Sequence, residues 1–285
     1  MLSVGSLTIA SAHSSGSVRV HSTSAVTRIA IFVATRWELR AVRSALPLNK
    51  SSILGGIRCF TAEIWGRLYC IIQTGVGPDR ARYVARAVLR EGDWALVLST
   101  GFACALAPAD VGDLIIGTEV VAVFHDAPGL RSERIGTCAQ QEQMRCLSVE
   151  RVAGMSVKTG RIASTPQVVW RAEEKRAIRD LTGAVGLDME SAALAAVAHE
   201  KGIPMAIART VSDLVNEDLP LDFNLFLRPT GWVMELWALI GHPSRFVGLN
   251  RLRKQSRIAS DRLADFFKEY ITGPRYGRSA TGERQ

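Results

Sequence analysis

The sequence predicts an α/β fold built on a mostly parallel or mixed β-sheet. Apolar runs of strand length, such as RIAIFVAT at 28–35, alternate with segments whose apolar residues recur at helical spacing, such as 79–90. This alternation is typical of strands joined by helical crossovers. With 285 residues, of which 47% are hydrophobic, the chain is long enough to bury a full core. It contains no apolar run long enough to predict a membrane-spanning helix.

The elements are placed by their hydrophobic period and by the turn residues between them. The first helix stops at Pro47, and a turn at Gly66-Arg67 indicates a hairpin. In chain order, the predicted elements are strand 28–35, helix 36–46, hairpin 57–74, helix 79–90, strands 94–99 and 113–124, helix 167–182, strand 184–188, helix 189–201 and strand 205–211.

The two ends of the chain differ from this alternating region. Residues 1–27 are rich in Ser, Thr, Val, Ala and His but lack the basic start of a secretory signal, which predicts a flexible extension. Residues 221–271 predict two or three helices with a break at Gly241-His242-Pro243, and 272–285 predict a disordered tail. The alternating pattern spans 28–220, which we take as the domain.

The net charge of +8 is concentrated at the ends of the chain. The excess of Lys and Arg lies in 1–28, 245–262 and 272–285, which leaves the rest of the chain near neutrality. An enzyme that binds nucleic acid carries positive charge across its working face, so we expect no nucleic-acid partner.

The cysteines and histidines indicate neither a disulfide framework nor a metal site. There are five cysteines, an odd number with no CxxC pair, which favours a reducing and therefore cytoplasmic compartment. The five histidines are scattered without ligand spacing, so we expect no metal and no cofactor.

The glycine-rich segment 75–80 (GVGPDR) resembles half of a dinucleotide-binding fingerprint. Arg80 occupies the position where close packing of helix on strand requires glycine, so a Rossmann site is not expected. A turn of this kind can still direct backbone N–H groups at an anion or a hydroxyl, and the alternative is a tight turn with no ligand. Neither GxxxxGK[ST] nor GxSxG occurs, which argues against P-loop NTPases and α/β-hydrolases.

Two carboxylates follow neighbouring predicted strands. Glu190 comes after strand 184–188, and Asp213 comes after strand 205–211. Ligands of open α/β sheets bind outside the carboxyl ends of the strands, so we expect both side chains at one edge. Two structural alternatives stay open: Glu190 as an acid that stabilises a helix N-terminus, and Asp213 as a helix cap before Leu214.

Residues 184–213 (AVGLDMESAALAAVAHEKGIPMAIARTVSD) resemble the signature of the nucleoside phosphorylase and nucleosidase superfamily. Segments 29–38, 73–82 and 99–120 are similar to further motifs of that superfamily and occur in the same order. The resemblance implies a three-layer α/β sandwich with a mixed central sheet, a helical C-terminal extension and a homo-oligomer, with a dimer favoured. It also implies cleavage of the N-glycosidic bond of a purine nucleoside, an adenosine derivative being the expected substrate.

The resemblance assigns a role to individual residues. Asp213 matches the acid that protonates N7 of the leaving base, with Ser212 holding it, and Glu190 matches the residue that binds the ribose hydroxyls, with Met189 packing on the sugar. Glu38 matches the acid that positions an attacking water. The remaining matches are Phe102, Ala103 and Cys104 in a loop beside the base, Val168 and Val169 near the base-stacking positions, and Gly75 in the TGxG turn.

Several departures from the superfamily pattern bear on the reaction. Cys104-Ala105 replaces the usual Gly-Gly, and Glu38 stands where hexameric phosphorylases have a phosphate-binding arginine. We therefore expect water to be slightly favoured over phosphate as the nucleophile, although Arg36, Arg40 or Thr100 could still hold phosphate as a co-substrate.

A narrower resemblance connects the chain with hopanoid-associated phosphorylases, which act on adenosylhopane, a lipid-linked nucleoside. The motifs GVGPDRAR and EKRAIRDLTGAVGLDMES and the long C-terminal tail carry it. Apolar residues at 232–240 next to the basic stretch predict peripheral membrane or lipid contact through 232–262, the alternative being a helix with a solvated basic face.

Two other functions stay open. One is a nucleoside-binding or sensing protein that keeps the fold without turnover. The other is a futalosine- or pyrimidine-type nucleosidase.

Overall fold

A computed structural model describes residues 26–47, 50–126, 129–147, 155–220 and 243–272 of the chain. Its strands are β1 (Thr27–Val33), β2 (Lys50–Leu54), β3 (Ile57–Ile64), β4 (Arg67–Gln73), β5 (Leu96–Ala105), β6 (Leu114–Asp126), β7 (Gly129–Thr137), β8 (Val157–Ser164), β9 (Gly186–Asp188) and β10 (Met205–Leu214). Its helices are α1 (Arg36–Ser44), α2 (Pro78–Leu89), α3 (Gln140–Leu147), α4 (Ala172–Thr182), α5 (Ser191–Glu200) and α6 (Pro243–Thr272).

The strands form one mixed sheet. β1 pairs in parallel with β4 on one side and with β5 on the other, and β5 pairs in parallel with β10. β10 pairs antiparallel with β6, and the sheet then continues through β8 and β9 back to the end of β5, so that these five strands close into a ring. Because β1, β5 and β10 run in the same direction, their carboxyl ends meet at one edge of the sheet.

Helices cover both faces of this sheet and make three layers. In β1, Ile29 and Ile31 pack in the cluster that includes α1 and α6, whereas Ala30 and Phe32 pack in the cluster that includes α2 and α5. A strand that is buried on both faces has no polar positions, which explains why 28–35 is a continuous apolar run. The predicted α/β fold with a mixed central sheet is confirmed.

Several predicted elements have different bounds in the structure. The strand expected at 94–99 continues to Ala105, because its second half pairs with β9 and β10. Residues 102–104 are therefore part of a strand, and the prediction that they form a loop is wrong. The helix expected from residue 167 begins only at Ala172, whose N–H donates to the Asp218 carboxylate at 2.7 Å. The strand expected at 184–188 is shorter than predicted, because β9 comprises only Gly186–Asp188.

The hydrophobic pattern of the sequence did not predict β2, β7, β8 or α3. β2 and β7 carry many polar residues and have large exposed portions, so their sequences lack a strong apolar period. β8 contains Gly160, where a Cβ atom would lie 2.8 Å from a methyl carbon of Val185. The glycine that interrupts the strand pattern is thus needed for close packing.

The described part of the C-terminal region is one helix of 30 residues, α6, which begins at Pro243. Its buried residues Leu263, Phe266, Phe267 and Tyr270 pack in the same cluster as β1 and α1. Of the two or three helices predicted within 221–271, any that fall in 221–242 lie outside the described residues. The same holds for residues 1–25 of the predicted flexible extension and for 273–285 of the predicted disordered tail. No helix in the described part of the chain combines the length and the apolar character needed to span a bilayer.

Candidate active site

A cavity opens at the edge of the sheet where β1, β5 and β10 end. It brings together most of the residues that the sequence singled out. The predicted residues that line it are Glu38, Phe102, Ala103, Cys104, Val168, Val169, Met189, Glu190, Ser212 and Asp213. Of the predicted set, Gly75 lies in an adjoining cavity instead.

Asp213 owes its position to an irregularity in β10. The pairing of β10 with β5 shifts register between Val211 and Asp213, so Ser212 is an additional residue and Asp213 lies opposite Cys104. A bulge of this kind changes the direction of the side chains that follow it. The strand then continues to Leu214, so the alternative interpretation of Asp213 as a helix cap is wrong.

Both carboxylate oxygens of Asp213 have hydrogen-bond donors. The Ser212 hydroxyl donates to Oδ1 at 2.9 Å, which is the contact expected for a residue that holds the acid in place. Oδ2 accepts from the ammonium of Lys175 at 2.7 Å. Asp213 therefore forms a buried ion pair, whereas the sequence alone suggested an acid shielded by apolar neighbours.

Lys175 is a buried charged residue beside Asp213 that the sequence pattern did not single out. It lies on α4 between Ala172 and Ile178, on the buried face of that helix. Burial alone would lower the pKa of its ammonium, but the adjacent Asp213 carboxylate reverses this, so the pKa of Lys175 is raised above its ordinary value. A lysine at an apolar position of an amphipathic helix is the sequence signal that could have revealed it.

Glu190 lies where β9 passes into α5. Its Oε1 accepts a hydrogen bond from the backbone N–H of Gly77 at 2.8 Å, which links the glycine turn to the Met189-Glu190 pair. Its side chain makes no capping bond to α5, where Asp188 instead accepts from the N–H of Ser191 at 3.1 Å. Burial raises the pKa of Glu190 to about 7, and the nearby Asp188 carboxylate adds to this.

Arg209 is buried beside the junction between β9 and α5 and holds that junction in place. It is 1% exposed, and its Nη2 lies 2.6 Å from Asp188 Oδ2 and 2.7 Å from the Ser99 hydroxyl. Nη1 donates to the carbonyl of Thr100 at 2.9 Å. A buried arginine held by a carboxylate and several oxygens fixes the backbone on which Met189 and Glu190 are carried.

Glu38 forms a capping box with Thr35 at the start of α1. Its Oε2 accepts from the backbone N–H groups of Ala34 at 2.9 Å and Thr35 at 2.6 Å, and Oε1 accepts from the N–H of Phe102 at 2.7 Å. The residue predicted to position water thus also joins the end of β1 to β5. Oε1 has one protein donor and retains capacity to accept another hydrogen bond.

The proposed phosphate ligands do not converge on this cavity. Arg36 and Arg40 are exposed on α1, and neither lines the cavity. The Thr100 hydroxyl is buried and donates to the carbonyl of Ala208 at 2.8 Å.

Comparison with known proteins places the chain in a family. The sequence profile described as the Phosphorylase superfamily matches residues 28–231. The chain belongs to the phosphorylase superfamily. This confirms the resemblance carried by the four sequence motifs, and the matched range corresponds to the predicted domain with a short continuation.

Relatives within the phosphorylase superfamily include nucleosidases. A 5'-methylthioadenosine/S-adenosylhomocysteine nucleosidase of Actinobacillus succinogenes is 27% identical over 213 residues, which cover 70% of this chain and 91% of the relative. Among solved structures, the nucleosidase of the same description from Helicobacter pylori has a TM-score of 0.66 at 19% identity, covering 86% of this chain and 98% of that one. Futalosine hydrolase of Helicobacter pylori has a TM-score of 0.65 at 19% identity, covering 86% and 100%.

Proposed function

We propose that this phosphorylase-superfamily protein cleaves the N-glycosidic bond of a purine nucleoside and releases the base, with an adenosine derivative as the substrate. The observation that carries the proposal is the convergence of Glu190 and Asp213 on one cavity that is also lined by apolar Phe102, Val168 and Val169. The nucleosidase relatives support it.

The two carboxylates suit the two charges that develop when the bond breaks. The sugar becomes positively charged, and Glu190 accepts hydrogen bonds from the ribose hydroxyls while its charge stabilises the cation. The leaving base becomes negatively charged, and Asp213 delivers a proton to N7 as general acid. Met189, which precedes Glu190 and lines the same cavity, packs against the sugar.

Water is the nucleophile in this proposal. Glu38 lines the cavity, and its Oε1 can accept a hydrogen bond from an attacking water. A carboxylate in that position repels phosphate. The buried cation Arg209 is engaged by Asp188 at 2.6 Å, so its charge is already compensated.

The decisive experiment is a nucleoside panel assayed with and without inorganic phosphate, with chromatography of the base and the sugar. The panel contains adenosine, 5'-methylthioadenosine, S-adenosylhomocysteine, inosine, futalosine and uridine. We expect adenine and free sugar from adenosine derivatives at a rate independent of phosphate. Formation of a sugar 1-phosphate would contradict hydrolysis. Release of the base from futalosine or uridine alone would favour a futalosine- or pyrimidine-type nucleosidase. Binding of a nucleoside without release of its base would favour a sensing protein.

A larger cavity adjoins the first and suggests where a bulky 5'-substituent lies. The two share Ala34, Thr35, Val76, Thr165 and Met189, and the second has a volume of about 820 Å³. Its lining is mixed, with Ala122, Val123 and Phe124 beside the charged Asp79, Arg80 and Arg82, so the argument for a long substituent, that of a lipid-linked nucleoside included, rests on its size. Comparing kcat/KM across adenosines whose 5'-alkylthio chain grows from methyl to dodecyl tests the idea, because a steep loss beyond the short chains would exclude a lipid-linked substrate.

Peripheral membrane contact is the accompanying proposal. Arg251, Arg253, Lys254 and Arg257 are exposed on α6, and positive charge of this kind attracts anionic lipid headgroups. The apolar residues at 232–240 that would accompany them lie outside the described residues. We expect sedimentation with anionic but not neutral vesicles at low salt, and a loss of binding in Arg253→Glu/Arg257→Glu but not in Arg90→Glu. Equal sedimentation of all three proteins would contradict this surface.

A further inference from the structure

Lys175 is a lysine buried beside the proposed acid. It is 0% exposed, and its Nζ lies 2.7 Å from Asp213 Oδ2, 2.9 Å from the carbonyl oxygen of Glu217 and 3.3 Å from that of Leu214. The three N–H groups of the ammonium thus have three acceptors. Together with the hydrogen bond from Ser212 to Oδ1, this contact fixes Asp213 at both of its oxygens.

Stability does not explain a buried ion pair at this place. Removing two charges from water costs about as much as their attraction returns, so apolar side chains of similar volume would serve a purely structural purpose as well. Asp213 moreover lines the cavity, so one partner of the pair faces the space where the base would bind.

We propose that Lys175 is the positioning residue for Asp213: its ammonium holds the carboxyl group in the direction from which Asp213 can act on the base. The inference rests on the proposed function. A charge-assisted hydrogen bond is short and directional, so the ammonium at 2.7 Å restricts rotation of the carboxyl group.

The positioning reaches beyond Asp213 itself. The N-terminus of α4 is joined to the segment after β10 by the bond from Ala172 to Asp218, and Leu219 donates to the carbonyl of Trp170 at 2.8 Å. Leu219 lines the same cavity as Asp213. Lys175 also donates to the carbonyls of Leu214 and Glu217. These bonds hold the segment after β10 against α4, the helix to which Lys175 belongs.

The other titratable groups described around the Lys175–Asp213 pair are carboxyl and thiol groups, so Lys175 is the cation that pairs with Asp213. Cys104 faces the pair from β5, and burial, with the Asp213 carboxylate second, raises the pKa of its thiol well above the ordinary value, so it is neutral at physiological pH. Glu217 directs its carboxylate to the amide of Gln255 on α6 at 3.0 Å, and its attraction for the Lys175 ammonium is weaker than that of Asp213. Glu190 lines the same cavity and is kept in every variant compared, so its titration is common to all of them.

The first test compares wild type, Lys175→Met, Asp213→Asn and a control, Lys201→Met, whose lysine is exposed at the end of α5. Each is assayed on an adenosine derivative and on a nucleoside with an activated leaving group. In Lys175→Met we expect kcat for the adenosine derivative to fall about tenfold or more, because a displaced catalytic group costs up to about 10²-fold. The activated nucleoside should be slowed much less, because it does not need the acid that Lys175 positions. Equal slowing of the two substrates would overturn the proposal.

The second test uses the double variant Lys175→Met/Asp213→Asn, which removes both charges of the buried pair. Since Lys175 acts through Asp213, the double variant should have the same kcat as Asp213→Asn, and a further tenfold loss would contradict this. A stability measurement separates the inference from the proposed function, because it needs no substrate. Lys175→Met should lower the free energy of unfolding, because it leaves the Asp213 carboxylate buried without its cation, and adding Asp213→Asn should restore much of that loss. The same loss of stability in both backgrounds would refute the ion-pair role even if the enzyme releases no base.

Discussion

Replacing Glu190 by glutamine should stabilise the protein at high pH while it removes most of the activity. In the folded state burial raises the pKa of Glu190 from 4.5 to about 7. A carboxyl group with a raised pKa binds its proton more tightly in the folded chain than in the unfolded chain. The free energy of unfolding therefore falls as the pH rises from about 4.5 to about 7, and the penalty is complete above that range.

The magnitude follows from the same value. One pKa unit corresponds to about 1.4 kcal/mol, so an ionised Glu190 lowers the stability of the wild type by about 3 kcal/mol above its folded pKa. Glutamine has nearly the same shape and cannot ionise, and its carbonyl oxygen can keep the hydrogen bond from Gly77 N–H. Glu190→Gln should thus match the wild type at about pH 4 and exceed its stability by about 3 kcal/mol at about pH 8.

The activity should change in the opposite sense. A carboxylate that accepts from the ribose hydroxyls contributes about 1.5–3 kcal/mol for each charge-assisted bond, so losing two costs about 10²–10⁴-fold in kcat/KM. The wild type should also become more active as the pH rises to about 7, because the ionised form of Glu190 is the better acceptor. The amide variant should lack this acidic limb.

Urea unfolding followed by circular dichroism at several pH values, together with a release assay for adenine, measures both effects. Glu173→Gln on α4 is a matched control, since residue 173 is exposed and does not line the cavity. Turnover near that of the wild type would refute the role of Glu190 in binding the sugar. A stability difference that does not grow between about pH 5 and about pH 8 would refute the assignment of a buried, raised carboxyl.

Two further predictions concern the acid and the backbone beneath it. Asp213→Asn should bind substrate but turn it over about 10²–10⁴-fold more slowly. Turnover of a nucleoside with an activated leaving group should be largely retained, because that leaving group needs no proton. Equal slowing of both substrates in steady-state kinetics would show that Asp213 is not the acid. Gly101→Ala should destabilise the protein and lower kcat, because Gly101 has a φ of 137° and a Cβ atom there would lie 2.2 Å from Glu38 Oε1. Gly136→Ala is the control, since no atom lies within 4 Å of its Cβ. It should change neither the thermal stability nor the activity appreciably when both variants are measured by thermal unfolding and by base release.

The sequence predicted the fold because the sheet is buried on both faces. Strands such as β1 and β10 have no solvent side, so they stand out as apolar runs, and the helices between them keep a clear period. Edge strands β2 and β7 were missed for the opposite reason, since polar residues on their exposed sides resemble loop sequence. The bulge at Ser212 has no local sequence signature, because it follows from the pairing of β10 with β5.

The candidate site divides in the same way. By itself, the sequence determined that Glu190 and Asp213 lie close to strands of an α/β sheet, but the expected reason for their meeting is wrong, because β9 does not pair with β10 and runs antiparallel to β5. The two carboxylates converge because Leu187 of β9 and Asp213 of β10 both pair with Cys104 of β5. Only the tertiary structure decided the electrostatic state of those groups. Lys175 and Arg209 belong to residue types that are mostly exposed in proteins, and only packing shows them to be buried. Long-range contacts between Lys175 and Asp213, and between Gly77 and Glu190, then fix the direction of each carboxyl group, since burial and charge partners depend on residues far apart in the chain.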